Sequence, residues 1–312
     1  MSANWEKLGL IFDPQRDTGW IASHAVPPSP IVRDDGTCRV FYAGRDVNNR
    51  SHISWFDVDL KDPLKKVASN DRYLAAPGPL GHFDDHGIFA SSVVRLYDRL
   101  RIYTIGWSPG VRKPLFYASI GVIETKDFGE TYDVRSDVPV LGRSIYDPCH
   151  VTGPFVLVEN GLWRMWYVSG IRWVETAEGL KSHYNVKYAE SVDGINWQRN
   201  GLVSIDFADS TETNIARPCI VRGAQGYEAW FSYDRGQGYR MGYGRSPDGL
   251  VFDRNIVDPP VIAPSDLAFE TDSVCHPAIV SYGGRRFMFY NGNGFGRDGI
   301  ALAIQSKTAR RC

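Results

Sequence analysis

One short phrase recurs five times along this chain, at intervals of about sixty residues. Each copy has a Pro or Ser followed by small or branched apolar residues, and after a turn comes a strand rich in aromatic residues. The Pro or Ser positions are Pro30, Ser92, Pro154, Pro218 and Pro277, with successive spacings of 62, 62, 64 and 59 residues. A period of this length accommodates one four-stranded antiparallel sheet with its loops. The repeat predicts an all-β fold, a five-bladed β-propeller, with blades beginning near residues 24, 86, 147, 212 and 271.

The two ends of the chain are predicted to complete the fifth blade together. The fifth copy ends after a strand at residues 299–304, which leaves the blade one strand short. Residues 4–11 resemble residues 196–203, the outer strand of the third copy. We expect residues 8–11 to pair as the outer strand of the blade that contains residues 287–290, because this closes the ring and protects two sheet edges.

Composition favours a single domain without a charged partner. Of 312 residues, 43% are hydrophobic and 13% aromatic, so residues 1–312 are predicted to form one domain around a large core. The formal net charge of −1 gives no field that would attract nucleic acid. The sequence has no apolar stretch long enough for membrane insertion and no signal-peptide pattern, so we expect a cytoplasmic location. The five cysteines are accordingly expected to be reduced thiols.

Two turns share the pattern Ser-x-Asp-Gly-x-x-aromatic, at residues 191–197 and 246–252. Asp and Gly suit tight hairpins, so these turns are interpreted as structural. With the repeat and the chain length, they make the sequence resemble the five-bladed glycoside hydrolase propellers: arabinanases, β-xylosidases, invertases, levansucrases and mannoside phosphorylases. The resemblance covers nearly the whole chain. It implies the propeller fold and a carbohydrate site in the axial funnel.

The resemblance does not extend to the catalytic carboxylates. Arabinanase and xylosidase members carry an Asp, a second Asp and a Glu on the inner strands of the first three blades. Two carboxylates that flank a glycosidic bond suffice for hydrolysis. The matching positions here are Ser29, Ser92 and Thr152, and a hydroxyl cannot replace a carboxylate in acid–base catalysis. We therefore do not expect this chain to hydrolyse simple arabinosides or xylosides.

Titratable residues gather instead in the segments that approach the five inner strands. Residues a few places before a strand are expected to lie at the mouth of the funnel, because a strand advances about 3.3 Å per residue. The predicted catalytic residues in these segments are Asp85, Asp147, Glu212, Asp272, His150 and His276. We predict that Asp147→Asn suppresses turnover while leaving the fold intact. The alternative is that these residues cap loops and satisfy backbone groups.

Predicted substrate-binding residues come from the same segments and from the far ends of the second strands. The approach segments contribute His24, Asp84, His86 and Arg217. Arg217 is expected to point into the axis and bind an anionic group or a carboxylate. The second strands contribute Arg45, Asp46, Trp107, Arg172, Trp173, Asp234, Arg235, Asn291 and Asn293. Aromatic faces suit sugar C–H groups and Arg suits a carboxylate or phosphate, whereas the alternative for the Arg–Asp pairs is a weak ion pair at the rim.

No cofactor is predicted, but a metal ion at the axis is left open. His24, His86, His150 and His276 come from four blades, and imidazole suits zinc and other transition ions. The close ligand spacing of a metal motif is absent. Some of the resembled propellers hold calcium near the axis with the help of a fifth-blade His, for which His276 is the nearest match.

Three classes of function remain after these observations. The favoured one is a carbohydrate-active enzyme with rearranged acid and base residues, a glycosidase-like hydrolase or a transferase or phosphorylase. Its substrate would be a small molecule or oligosaccharide, with an anionic sugar or a nucleotide sugar as one expected class, in a pathway such as polysaccharide biosynthesis. The alternative is a non-catalytic propeller that binds a carbohydrate or nucleotide sugar. A propeller that binds only proteins is disfavoured, because polar residues crowd the funnel rather than the rim. The oligomeric state is not predicted.

Overall fold

A computed structural model describes residues 5–177 and 179–305, except for the side chain of Lys66. The structure is almost entirely β, as the repeat predicts. Short runs rich in Val, Ile, Tyr, Phe and Trp alternate with turns, and such runs suit a pleated, half-buried surface.

Within the described ranges the strands form five antiparallel units, four of which follow chain order. Unit I contains β2 (Ser23–Val32), β3 (Thr37–Arg45), β4 (Ser51–Asp59) and β5 (Lys66–Ser69). Unit II contains β6 (Gly87–Arg95), β7 (Leu100–Pro109), β8 (Phe116–Thr125) and β9 (Val134–Arg135). Unit III contains β10 (His150–Glu159), β11 (Leu162–Thr176), β12 (Gly179–Ser191) and β13 (Val203–Ile205). Unit IV contains β14 (Asn214–Gly223), β15 (Gly226–Asp234) and β16 (Arg240–Ser246), with a bridge from Arg245 to Asp253 at its edge.

Unit V joins the two ends of the chain. It contains β17 (Cys275–Tyr282), β18 (Arg285–Asn291), β19 (Ile300–Gln305) and the N-terminal strand β1 (Trp5–Phe12). β1 pairs antiparallel with β19, so that Leu10 lies opposite Ala301. The predicted pairing of the N-terminal strand at the outer edge of this sheet is therefore confirmed.

The first strands of the five units contact one another in cyclic order. β2 packs against β6, β6 against β10, β10 against β14, β14 against β17, and β17 against β2. One parallel bridge, between Ser51 and Gly87, joins units I and II, and another, between Tyr184 and Asn214, joins units III and IV. The five first strands thus surround a common axis.

The hydrophobic core follows the same cyclic arrangement. Five buried clusters are found in the described chain, and each combines residues of two neighbouring units. The cluster between units V and I, for example, brings Phe287 and Phe289 against Val40 and Tyr42. Each sheet therefore buries both faces against its neighbours, which explains why its strands are apolar on both sides.

Helical structure is minor. The helices found in the described ranges are α1 (Pro14–Asp17) and α2 (Asn293–Gly296), and no helix there is long and apolar enough to cross a membrane. The cysteines within those ranges, Cys38, Cys149, Cys219 and Cys275, are free thiols.

Candidate functional site

The first strands all begin at one end of the axis, and the turns between second and third strands return to that end. We call this end the mouth. The first strands start there at residues 23, 87, 150, 214 and 275. The mouth is where the sequence predicts the functional residues.

Three of the first strands bulge at the residue that precedes the repeated Pro. Gly153, Arg217 and His276 each have a positive φ, of 51°, 49° and 55°. The pairing register shifts at each of these places. An extra residue in one strand bends it and redirects a side chain, and a non-glycine residue with positive φ is strained. In units IV and V, these bulges carry the two polar side chains Arg217 and His276.

Arg217 extends across the axis and closes it below the mouth. Its Nη1 donates to the carbonyl and the hydroxyl of Ser91, and its Nη2 donates to the Pro28 carbonyl (2.6 Å) and the Ser29 hydroxyl (3.0 Å). Only 5% of the residue is exposed, and burial lowers the pKa of the guanidinium to about 10. The sequence predicts that Arg217 points into the axis; both of its Nη atoms bind neutral oxygens of units I and II. The expected role in binding an anion is corrected to a cross-link between units I, II and IV.

A cavity of about 120 Å³ lies along the second half of the first strands, beside Arg217. Its polar lining includes Ser29, Ser92 and Cys219. Sites for small organic ligands usually enclose about 300 Å³ or more, so this space suits a few water molecules rather than a sugar. The axis below Arg217 therefore offers no room for a sugar.

His276 presents a neutral imidazole at the mouth. Asn291 donates through Nδ2 to the carbonyls of Ala25 and Gly299, so its Oδ1 is left to accept from His276 Nδ1 at 3.1 Å. Burial lowers the pKa of His276 to about 4. The hydrogen bond to Asn291 acts to raise this pKa, and the charge of Arg217 acts to lower it by a smaller amount. Because Nδ1 carries the proton, Nε2 has a free lone pair at neutral pH. Asn291 thus positions His276.

His24 lies at the mouth in a positive environment. Its Nδ1 is 2.8 Å from the Ser23 hydroxyl. Burial and, to a smaller extent, the charge of Arg45 lower the pKa of His24 to about 4. A hydrogen bond with the Gly294 backbone acts to raise this pKa, and the charge of Arg297 lowers it slightly further. His24 is therefore neutral at pH 7 and faces two arginines.

A wall of rings connects unit II to unit V along one side of the mouth. The His150 ring lies 4.7 Å from Phe116, 5.8 Å from Tyr184 and 6.3 Å from Trp173. Burial lowers the pKa of His150 to about 4, and its Nδ1 is buried without a hydrogen-bond partner. A Cβ atom at Gly170 would come within 2.4 Å of the His150 ring, so only glycine admits the imidazole here.

The wall continues through two tyrosines. The Tyr184 and Tyr239 hydroxyls are hydrogen-bonded, and burial raises the pKa of both. The Tyr239 ring lies 6.2 Å from His276 and 5.7 Å from Phe295. The sequence analysis missed Phe116, Tyr184, Tyr239 and Phe295. All but Phe295 lie at or near the mouth ends of third strands. Aromatic residues at those ends are the sequence feature from which these positions could have been predicted.

Four buried acids turn out to anchor the approach segments to the outer edges of their own units. Each side chain is at most 2% exposed and pairs with a cation on or beside the last strand of the unit. The pairs are Asp84–Arg135, Asp147–Arg199, Glu212–Arg254 and Glu270–Lys7, with N–O distances of 2.5, 2.8, 2.6 and 2.6 Å. These ion pairs favour structural roles for the buried carboxylates of Asp84, Asp147 and Glu212, while the catalytic roles of Asp147 and Glu212 and the binding role of Asp84 stay predictions.

Three further carboxylates cap turns. Asp46 Oδ1 accepts from the amides of Asn48 and Arg50 at 2.9 Å, and Asp234 Oδ1 accepts from two amides of its own turn. Asp85 accepts from the Ser108 hydroxyl at 2.6 Å and the Gly81 amide at 3.0 Å. Burial opposes these bonds, but together they lower the pKa of Asp85. Asp85, predicted as a catalytic acid or base, is thus ionised at neutral pH and is not suited to act as a general acid.

Other predicted residues hold loops at the mouth. Arg235 pairs with Asp209 at 2.8 Å and with Glu212 at 3.1 Å. Asn293 Oδ1 accepts from the amides of Asp272 and Ser273, and it is largely buried. The Asp272 side chain itself is exposed. Arg235 and Asn293 are therefore corrected from substrate contacts to loop supports.

The remaining predicted residues lie at the mouth with part of their surface open. His86 packs against Trp107 with ring centroids 4.5 Å apart, and Arg172 lies 3.4 Å from His183. Trp173 extends the ring wall along the β11–β12 hairpin. Throughout residues 5–177 and 179–305, no group of three or more His, Cys, Asp or Glu is placed to hold a metal. Those residues therefore offer no set of ligands for the axial metal ion that the sequence left open.

Comparisons with known proteins identify close relatives and a shared fold. No family model matches the chain. "Uncharacterized protein MT1551" of Mycobacterium tuberculosis strain CDC 1551 is 35% identical over 300 residues, which cover 96% of this chain and 98% of the relative. "Uncharacterized protein Rv1502" of strain H37Rv is 34% identical over the same coverage.

Solved structures resemble the protein over nearly its whole length. A structure of the BT0996 complex with RGII superposes with a TM-score of 0.74 at 16% identity, covering 98% of this protein and 93% of the other. A structure from the GH130 family of mannoside phosphorylases, which contains hydrolases of β-1,2 mannosidic linkages in Candida mannan, gives 0.68 at 13% identity, with 97% and 94% covered. A thermostable family-43 glycoside hydrolase gives 0.66 at 11% identity, with 90% and 89% covered. The protein belongs to the family of the two mycobacterial proteins and has the propeller-type fold of these glycoside hydrolases.

Proposed function

We propose that the five units form one closed five-bladed propeller and that the protein binds a sugar-containing ligand at its mouth. The cyclic packing of the first strands and the five clusters between neighbouring units support the closed ring. The pairing of β1 with β19 supports closure by the N-terminal strand.

The observation that carries the binding proposal is the ring wall at the mouth. Phe116 and Trp173 are partly exposed at the mouth, and they are backed by the half-buried Tyr184 and by the buried rings of His150 and Tyr239. Aromatic faces pack against the C–H groups of sugars, while hydroxyl and imidazole groups can bond sugar hydroxyls. Structures with the same fold are described as a complex with RGII and as hydrolases of mannan linkages, which agrees with a sugar ligand.

Binding without two-carboxylate hydrolysis is the function that this geometry supports best. Three of the four carboxylates that the sequence offered as replacements for the missing catalytic triad are engaged elsewhere, and Asp272 is left as a single exposed acid. Asp147 and Glu212 are buried in ion pairs, and Asp85 caps a turn. Neither inverting nor retaining hydrolysis can proceed by the usual route without a free acid and a second carboxylate.

One observation favours an enzyme as the second candidate. His276 is neutral, is held by Asn291, and has an unprotonated Nε2, as a general base requires. A hydrolase or transferase that uses His276 in place of a carboxylate would account for the strained φ of 55°.

A glycan array followed by titration calorimetry tests the binding proposal. We expect Trp173→Ala to weaken the affinity for the best array ligand about tenfold, because an aromatic contact of this kind contributes on the order of 1 kcal/mol beyond the buried area. Tyr97→Ala is the matched control, since Tyr97 is a fully exposed aromatic residue at the opposite end of the axis. Absence of any glycan ligand, or equal affinities of the two variants, would contradict the proposal.

Mass spectrometry of the ligand after incubation separates binding from catalysis. An unchanged ligand agrees with a binding propeller. A converted ligand, with conversion lost and affinity retained in His276→Gln, would establish the enzyme instead.

A further inference from the structure

Arg45 occupies a prominent place at the mouth. It is the last residue of β3 and lies opposite Ser23 of β2 and Ser51 of β4. Its guanidinium is half-buried, and Nη1 lies 3.3 Å from the Asn49 side-chain oxygen. Nε is buried without a partner, whereas Nη2 is neither bonded nor buried. One edge of the guanidinium is therefore open to a ligand.

Arg45 has no carboxylate partner anywhere in the described parts of the chain. The neighbouring Asp46 is turned away, because its two oxygens are used by backbone amides of its own turn and by His52. Burial lowers the pKa of the Arg45 guanidinium, and no carboxylate acts to raise it. A second cation, Arg297, acts together with Arg45 to lower the pKa of His24, so two positive charges lie near this histidine.

Several other shielded arginines have an acid partner, whereas Arg217, which has none, bonds four neutral oxygens instead. Arg39, Arg135, Arg199 and Arg254 each contact a carboxylate within 3 Å. A cation withdrawn from water is costly unless it is paired, so the protein ordinarily supplies an acid. Arg45 lacks that acid at the place where the ligand is proposed to bind.

Further donors without acceptors lie along the same cross-strand row. Ser51 pairs with Gly87, and Gly87 pairs with Trp107. The Ser51 hydroxyl and the Trp107 indole Nε1 are both buried without hydrogen-bond partners. A Cβ at Gly87 would meet Trp107 Nε1 at 2.1 Å and Ser51 Cβ at 3.0 Å, which places both groups on one face. Two buried donors beside Arg45 on this edge of the mouth therefore have no acceptor within the protein.

We propose that Arg45 binds an anionic group of the sugar ligand, a carboxylate or a phosphate, at the edge of the mouth formed by units I and II. This inference rests on the proposed sugar binding and specifies the class of sugar. A guanidinium edge matches the oxygens of a carboxylate or phosphate, and such charge-assisted bonds are about twice as strong as neutral ones. The ligand is thus an acidic sugar or a sugar phosphate, the latter including nucleotide sugars.

Titration calorimetry with glucuronate, glucose 1-phosphate and glucose, at low and high NaCl, tests this inference. We expect the wild-type protein to bind at least one of the two anions at least tenfold more tightly than glucose, with the difference shrinking at high salt. The glucuronate and glucose 1-phosphate experiments distinguish a carboxylate from a phosphate. Arg45→Gln should reduce the preference to less than twofold while leaving glucose binding unchanged.

Two further variants make the test decisive. Arg45→Lys keeps the charge without the planar fork and should retain part of the preference, which separates charge from bidentate geometry. Arg112→Gln removes an exposed mouth arginine that pairs with Glu175 at 2.7 Å, and it should retain the full preference. Equal affinities for glucose and both anions, or an unaltered preference in Arg45→Gln, would overturn the anion inference while sugar binding stands. Failure of all three compounds together with an empty glycan array would overturn the proposed function itself.

Discussion

Asp147 lies where the sequence predicts a catalytic carboxylate, but its contacts are those of a residue that stabilises the fold. Its side chain is fully buried, with Arg199 at 2.8 Å and Lys187 at 3.6 Å. The Ser144 hydroxyl also donates to it at 2.9 Å. A buried acid with two cationic neighbours is engaged by the protein itself, so it is not available to exchange a proton with a substrate. The sequence-based expectation that Asn would preserve the fold at this position does not fit this environment.

Asp147→Asn should therefore destabilise the protein. Removing one partner of a buried ion pair leaves an uncompensated charge and typically costs about 3–5 kcal/mol. Urea unfolding measures this loss. Glu175→Gln is the control, because its ion pair with Arg112 is exposed and should contribute at most about 1 kcal/mol. A stability loss no larger than that of Glu175→Gln would contradict the structural role.

The sequence located these acids but could not assign their roles. Each approach segment was recognised as polar, yet the partner of each acid lies in a distant last strand. Arg135 is 51 residues from Asp84, and Arg254 is 42 residues from Glu212. The two partners of such an ion pair are brought together by the folding of the sheet. A local sequence pattern therefore does not predict the pair. The positions of His276 and Arg217 on the first strands were easier to predict, because each directly precedes the repeated Pro.

In units II to V, a cation on or beside the last strand holds the approach segment, and in unit V this cation is Lys7 of β1. Lys7 Nζ donates to Glu270 at 2.6 Å, and Tyr290 donates to the other Glu270 oxygen at 2.8 Å. The Glu270 side chain is fully buried. The sequence predicted the position of β1 from its likeness to residues 196–203, but it gave no indication of this ion pair.

Lys7→Met should weaken the attachment of β1 to unit V. The substitution leaves the Glu270 carboxylate buried without its cation, which should cost about 3–5 kcal/mol in urea unfolding. Glu6→Gln changes the exposed neighbouring residue on the same strand and should alter stability by less than about 0.5 kcal/mol. Similar stabilities for the two variants would show that β1 does not secure the sheet through Lys7.

At the scale of the whole molecule, the axis is the place where distant units meet. Arg217 of unit IV bonds backbone or hydroxyl oxygens of units I and II. The Ser29 hydroxyl in turn donates to the Ser91 carbonyl at 3.0 Å, and the Ser91 hydroxyl donates to the Pro154 carbonyl of unit III at 2.9 Å. Ser29, one of the hydroxyl residues at positions that the resemblance matches to catalytic acids, thus takes part with Ser91 in linking the units to one another.

Arg217→Met tests whether this network holds the units together. The change removes four donated bonds and leaves buried acceptors of units I and II unpaired, each at a cost of about 1–3 kcal/mol. We expect a stability loss of several kcal/mol with a single cooperative transition, because every unit also packs against two neighbours. Arg222→Met is the control, since Arg222 is an exposed arginine of the same strand that pairs with Glu159. If urea unfolding gave equal stabilities for the two variants, the axial cross-link would not be what stabilises the arrangement of the five units.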